Sequence, residues 1–245
     1  MDHVALRCRP ALQSELAHWI ENSPRFGAFI TTNQDKVRKK LHASDDEEHR
    51  LDVRAELLVA YLITADRRFE LSFEAYGARR LGPDLTATLR TNQRFNLDVT
   101  RLRTTGDAGN ASSDPVSEDP GPGVPRLANV ITGKLRQLPG DIPNALVIAA
   151  RGVPLNEGSL VAAMRLLKMH ADHKDDSFFA RRGLKDARDF YAHYLHLSGI
   201  CILDEVTAPA RAIFSPNREA RHPLSKEAVT ILMQCLTSAG GTPRA

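Results

Sequence analysis

Aspartate is disfavoured inside β-strands, where side chains pack against cross-strand neighbours. Asp98 nevertheless sits in the middle of the run Arg94-Phe95-Asn96-Leu97-Asp98-Val99-Thr100. A second acid, Asp84, opens the preceding run, Asp84-Leu85-Thr86-Ala87-Thr88-Leu89-Arg90. In both runs, and in Phe69-Glu70-Leu71-Ser72-Phe73-Glu74-Ala75, the odd positions are apolar and the even positions polar. A period of two predicts three antiparallel strands with one apolar face and one polar face. The turns fall at Gly77 to Pro83 and at Thr91-Asn92-Gln93. With the second turn centred on residue 91, Asp84 and Asp98 stand directly opposite each other on the polar face. Direct cross-strand partners have Cβ atoms about 4.5–5.5 Å apart. Two carboxylates that close repel unless one takes a proton or a cation lies between them. Hard oxygen ligands at this spacing suit Mg²⁺ or Mn²⁺. Glu70, Glu74 and Thr100 share the polar face, and the two glutamates read as solvated.

The surrounding elements must position this pair. Residues 11–22 and 26–43 read as helices, and the basic run Lys36-Val37-Arg38-Lys39-Lys40 in the second reads as a solvated helix face. Ser44 then caps the acidic start Asp45-Asp46-Glu47-Glu48, which the positive end of a helix dipole favours. That third helix runs to about residue 65. Its residues Leu51, Ala55, Leu58 and Leu62 recur at helical spacing and face a core, with Glu56 at the edge of the stripe. Residues 104–125, rich in Gly, Pro, Ser and Asp, read as a mobile insertion. Beyond it a helix (126–137) leads into the apolar strand Ala145 to Ala150. Helices at 157–173 and 185–196 follow, then strands around 200–203 and 210–214. A last helix, 225–237, begins after Ser225. The expected fold class is α/β: a mixed central sheet containing an antiparallel three-stranded meander, flanked by helices. Residues 1–45 form an N-terminal helical extension, and 46–245 form a single domain carrying the insertion at 104–125.

The string Gly82-Pro83-Asp84, then a strand and turn, then Phe95-Asn96-Leu97-Asp98-Val99-Thr100, resembles the PD-(D/E)XK nuclease superfamily, which has the restriction-endonuclease-like fold. The resemblance covers roughly residues 50–150. It implies a core of helix, three strands, helix and strand, with Glu56 on the first helix. It implies that Glu56, Asp84 and Asp98 bind a metal ion, with the Val99 carbonyl as a further ligand. The family's lysine would stand at position 100, where this chain has Thr100. A neutral hydroxyl does not replace its charge. Arg101 is adjacent but belongs to the opposite face, and a guanidinium is a poor base. Lys134 on the following helix, with Gln137 beside it, is the expected substitute. The implied catalytic set is Asp84, Asp98, Lys134 and Glu56, acting with Mg²⁺ or Mn²⁺ on DNA or RNA.

Composition bounds the alternatives. The chain has 245 residues, 42% of them hydrophobic and 26% charged, which excludes a fibrous or wholly disordered protein. No apolar stretch approaches the ~20 residues that span a bilayer. The N-terminus lacks the pattern of a secretory leader, and three widely spaced cysteines give no disulfide framework. A reducing cytoplasm is the expected compartment. The net charge is +3, but residues 104–125 carry −4, which leaves +7 on the rest. A basic body of this kind is compatible with a nucleic-acid partner. The pairs His170/His173 and His193/His196 have chelating spacing but no cysteine or HExxH context, and read as solvated or packed. Two rivals follow from Thr100 and from the general chemistry: a nuclease-like fold that binds nucleic acid or protein without cutting, and an enzyme acting on small phosphorylated molecules.

Overall fold

Six strands lie side by side in chain order: β1 (Phe69–Phe73), β2 (Leu85–Leu89), β3 (Arg94–Leu102), β4 (Asn144–Ala150), β5 (Gly199–Asp204) and β6 (Arg211–Pro216). The computed structural model describes residues 10–76, 82–103, 123–151, 155–204 and 211–237. Of the segment 104–125 read as an insertion, residues 104–122 lie outside the described residues. Gly123 caps, and Val124 and Pro125 open, the next helix. β1, β2 and β3 form the expected antiparallel meander. β4 is parallel to β3 and β5 to β4, while β6 is antiparallel to β5. Parallel neighbours need crossover connections, and helices supply them. α5 (Val124–Leu135) links β3 to β4. α6 (Glu157–Asp172), α7 (Asp176–Ala180) and α8 (Ala187–Tyr194) link β4 to β5.

The strand periodicity decides which helices cover which face. Odd residues of β2 and β4 and Phe95, Leu97 and Val99 of β3, together with Cys201 and Leu203, share a core with the N-terminal helices and with α9 (Lys226–Thr237). Leu146, Ile148, Ala150, Ile200 and Ile202 share the other core with α5 to α8. The result is three layers, helix, sheet and helix. β4 and β5 are apolar on both faces because both faces are covered. Gly199 allows a close approach within the sheet. A Cβ there would lie 2.3 Å from Phe214 Cζ.

Two expectations need correction. Residues 26–43 are not one helix but two, α2 (Pro24–Thr32) and α3 (Gln34–Leu41), following α1 (Pro10–Asn22). Ser23 caps α2 through Phe26 N, with Pro24 in the first turn, and the chain breaks at Asn33. The N-cap of α4 (Glu47–Thr64) is Asp46 rather than Ser44, whose hydroxyl instead accepts from Asp46 N. The polar face of β2 and β3 is not open to solvent. Thr86, Asn96 and Asp98 are all buried. Thr86 Oγ1 donates to Asn96 Oδ1, and Asn96 Nδ2 donates to Asn144 Oδ1 and Tyr76 Oη, so the amides are satisfied without water.

The N-terminal helices enclose α4. Trp19 stacks on Tyr61 at 5.4 Å, and Phe26, Phe29, Val37 and Leu41 join the same core. α4 is therefore buried almost all round from Val53 to Thr64, well beyond the expected stripe. Among the described residues no helix is long and apolar enough to cross a membrane.

Candidate active site: an acid cluster bridged by two lysines

The register of the hairpin brings the two aspartates together. Leu85 faces Leu97 and Thr86 faces Asn96, so the next step of the same ladder sets Asp84 against Asp98. Asp84 lies just before β2, where the ladder has ended. Its Oδ2 accepts from Val99 N at 2.9 Å and satisfies the amide that the missing strand partner leaves open. Amide and carbonyl of one strand residue point to the same side. The Val99 carbonyl therefore lies on the β2 side of β3, the side of Asp84.

Glu56 joins from the middle of α4, and is 5% exposed. Lys40 Nζ bridges the Glu56 and Asp84 carboxyls, and the strand register sets Asp84 against Asp98. Glu56, Asp84 and Asp98 are thus one contiguous cluster. Two ammonium groups hold it. Lys134, from the last turn of α5, places Nζ 3.3 Å from Asp98 Oδ2 and 3.4 Å from Oδ1. Lys40, from the last turn of α3, places Nζ 2.6 Å from Glu56 Oε2, 2.8 Å from Asp84 Oδ1 and 3.4 Å from Glu74 Oε1.

Burial and mutual repulsion set the charge state. Burial pushes the Asp98 carboxyl up to about 7, Asp84 adds to the rise, and Lys134 opposes it. Burial, then Asp84, also raises Glu56 well above the carboxylate range against the pull of Lys40. Asp84 behaves oppositely. Burial would raise it, but Lys40, Lys134 and the Val99 amide outweigh that and hold it below its ordinary value. Both lysines are raised because the carboxylates outweigh burial, so both remain ammonium ions at neutral pH. Burial and like charge therefore favour the protonated forms of Glu56 and Asp98, while Asp84 is held toward its ionised form.

Carboxylates are the donor type a hard divalent cation takes, and Glu56 Oε2 and Asp98 Oδ2 are buried beside the two ammonium groups without an aligned hydrogen bond. Among the described residues, though, no three Asp, Glu, His or Cys side chains are arranged to hold an ion. The carboxylates are turned elsewhere: Glu56 Oε2 and Asp84 Oδ1 onto Lys40, and Asp84 Oδ2 onto the Val99 amide.

Other candidates fall outside the cluster. Thr100 is half-buried on β3, beside Ile148 of β4. Arg101 points to the α4 side as expected, 3.1 Å from Glu48 Oε2 and 3.5 Å from Asp52 Oδ1. Gln137 lies in the turn after α5. Glu70 is exposed, but Glu74 joins Lys40 and adopts a left-handed φ of 44°. Of the two histidine pairs, His173 is exposed, and the other three residues are buried or half-buried. His170 pairs with Asp175 at 2.9 Å and stacks on Phe178 at 3.7 Å, and His193 pairs with Asp189 at 3.3 Å. The residue that sequence reasoning missed is Lys40. Its only local signal is the spacing of Lys36 and Lys40, which puts both on one side of α3. Lys36 Nζ donates to Phe73 O at 2.7 Å, so this side of α3 lies over the end of β1.

No protein-family model, curated protein or solved structure matches the chain.

Proposed function

We propose that the chain is a divergent PD-(D/E)XK-like, restriction-endonuclease-like enzyme that hydrolyses phosphodiester bonds of DNA or RNA with Mg²⁺ or Mn²⁺. The observation that carries this reading is Lys134 Nζ at 3.3 Å from Asp98 inside a cluster that also contains Asp84 and Glu56. Helix α4, the β1–β3 meander, α5 and β4 follow one another in the order that the resemblance requires. The mixed sheet with helices on both faces supports the same reading.

Glu56, Asp84 and Asp98 would hold the ion, with the Val99 carbonyl on the Asp84 side. When bound, the ion polarises the phosphate and lowers the pKa of water. Asp84 stays ionised and is fixed by the Val99 amide, which makes it the anchor of the set. Lys134 remains an ammonium, so it acts by charge and hydrogen bonding on the scissile phosphate and water rather than as a base. It supplies from α5 the cation that Thr100 does not. The assay is metal-dependent nicking of plasmid and single strands, with Lys134→Ala and Asp98→Asn as variants.

One observation favours the non-cutting rival. Lys40 already neutralises Glu56 and Asp84, which is also what a structural ion network would do. In that case nucleic acid or a protein partner would bind without cleavage, and Asp98→Asn would leave binding intact.

A further inference from the structure

The two outer strands, β1 and β6, end the sheet differently. An edge strand offers unpaired N–H and C=O groups to any strand that reaches it. In β1 the ladder joins Arg90 N to Arg68 O and Glu74 N to Asp84 O, so Phe69, Leu71 and Phe73 turn their backbone groups outward. Cationic side chains guard that edge. Arg25 donates to Phe69 O at 2.6 Å, and Lys36 donates to Phe73 O at 2.7 Å. In β6, Asn217 N bonds Ser198 O in register, so Ala212, Phe214 and Pro216 are the residues turned outward. Among the described residues, no group bonds the outward amides and carbonyls of Ala212 and Phe214. We infer that the β6 edge is a self-association surface: two copies of this chain join by antiparallel pairing of β6 with β6 about a twofold axis at Ile213.

Three observations make a second copy the occupant. The first is register. A twofold at Ile213 sets Ala212 of one copy opposite Phe214 of the other, and their outward amides and carbonyls satisfy one another. Arg211 then faces Ser215, so no like charges meet, and Pro216, which has no N–H to give, falls outside the paired segment. The second is Ile213 itself. It lies beside Ile202 on the α6 side of the sheet, is half-buried, and belongs to neither core. On the axis it meets its own counterpart in a non-hydrogen-bonded pair, where cross-strand side chains come closest. The third is Val161 of α6, 46% exposed. Val161, Arg165 and Lys168 share one stripe of the helix, and Lys168 pairs with Glu219 just beyond β6, so this stripe borders the open edge.

Pairing of this kind closes. It makes one continuous sheet whose remaining outer strands are the two β1 strands, both guarded by Arg25 and Lys36, so growth stops at the dimer. The acid cluster lies at β2, β3 and α4, in the other half of the sheet, and stays uncovered. The inference is therefore independent of the nuclease reading.

The experiment is sedimentation equilibrium on a dilution series of the full chain, for wild type, Ala212→Pro, Ile213→Lys and Glu70→Lys, with hydrogen exchange of the wild type at each concentration. Ala212→Pro removes an outward N–H and no bond of the β5–β6 ladder. Ile213→Lys sets like charges against each other on the axis. Glu70, exposed on the guarded strand, is the control. Wild type and Glu70→Lys should reach twice the chain mass, and each β6 variant should raise the dimer Kd at least about tenfold. In the wild type, the Ala212 and Phe214 amides should exchange more slowly as concentration rises, while the Leu71 amide should not. That readout needs no variant, so a β6 variant that fails to fold leaves the test intact. A wild type that is monomeric at every concentration overturns the inference, as does a dimer that survives both β6 substitutions or is lost in Glu70→Lys. Growth beyond the dimer also overturns it. So does slow exchange at Ala212 and Phe214 that is independent of concentration, because another segment of the same chain then covers the edge.

Discussion

The ammonium of Lys134 lies 3.3 Å from Asp98 Oδ2, although the two residues belong to different elements, α5 and β3. On the proposed nuclease reading, Lys134 takes the place of a lysine two residues after the aspartate on the same strand. It gives a direct prediction. Lys134→Ala should lower cleavage by about 10²–10³-fold, the usual range for removing one electrostatic donor. Thr100→Lys in that background should restore part of the loss, since residue 100 shares the face of Asp98. Gel-based nicking rates decide it, and equal rates for wild type and Lys134→Ala would remove Lys134 from the chemistry.

The acid cluster predicts a pH signature in stability. Asp98 is raised in the folded chain from about 3.9 to about 7, so its protonated form is favoured by folding. The associated stability is fully present below the unfolded value and is lost as pH rises through the folded one. In EDTA, unfolding free energy should therefore fall between about pH 4 and pH 7, by up to about 1.4 kcal/mol per pH unit for one proton. Glu56 shifts in the same direction. Asp84 is lowered and acts oppositely, with stability lost only as pH drops below the ordinary carboxylate range. Asp98→Asn should flatten the pH 4–7 slope in urea titrations, and an unchanged slope would show that Asp98 does not carry the proton.

How much of this was legible in the chain depends on the range of the interaction. The Asp84–Asp98 register followed from strand alternation and one turn, both local, and the ladder has that register. The course of α4, α5 and β4 around it was likewise periodic. Burial of the polar strand face was not legible, because it depends on the helices that cover α5's side of the sheet and on an Asn96–Asn144 bond between residues 48 apart. The role of Lys40 was hidden for the same reason. A basic run on a short helix looks identical whether it faces water or an acid cluster, and only the packing of α3 beside β1 distinguishes them. The break at Asn33 lacked a strong signal as well, since Thr31, Thr32 and Asn33 contain neither Gly nor Pro.

Asn144 ties the sheet to the loops on either side. Its Nδ2 donates to the carbonyls of Pro139, Ile142 and His196 at 2.7–2.9 Å, while its Oδ1 accepts from Asn96. Asn144→Ala leaves the part-buried carbonyls and the buried Asn96 amide without this partner, each such loss costing about 1–3 kcal/mol where water does not reach. A total of about 3 kcal/mol would lower the melting temperature by roughly 6–12 °C for a chain of this size. A shift under about 2 °C in calorimetry would mean that water replaces the side chain.

The acid cluster as a metal-dependent nuclease centre is tested most directly by cleavage of plasmid and single-stranded substrates by wild type and Asp98→Asn, purified in parallel and titrated with Mg²⁺ and Mn²⁺. The expected result is metal-dependent nicking by wild type that vanishes in EDTA and in Asp98→Asn. No cleavage by wild type with either metal, or cleavage that persists in Asp98→Asn, contradicts it.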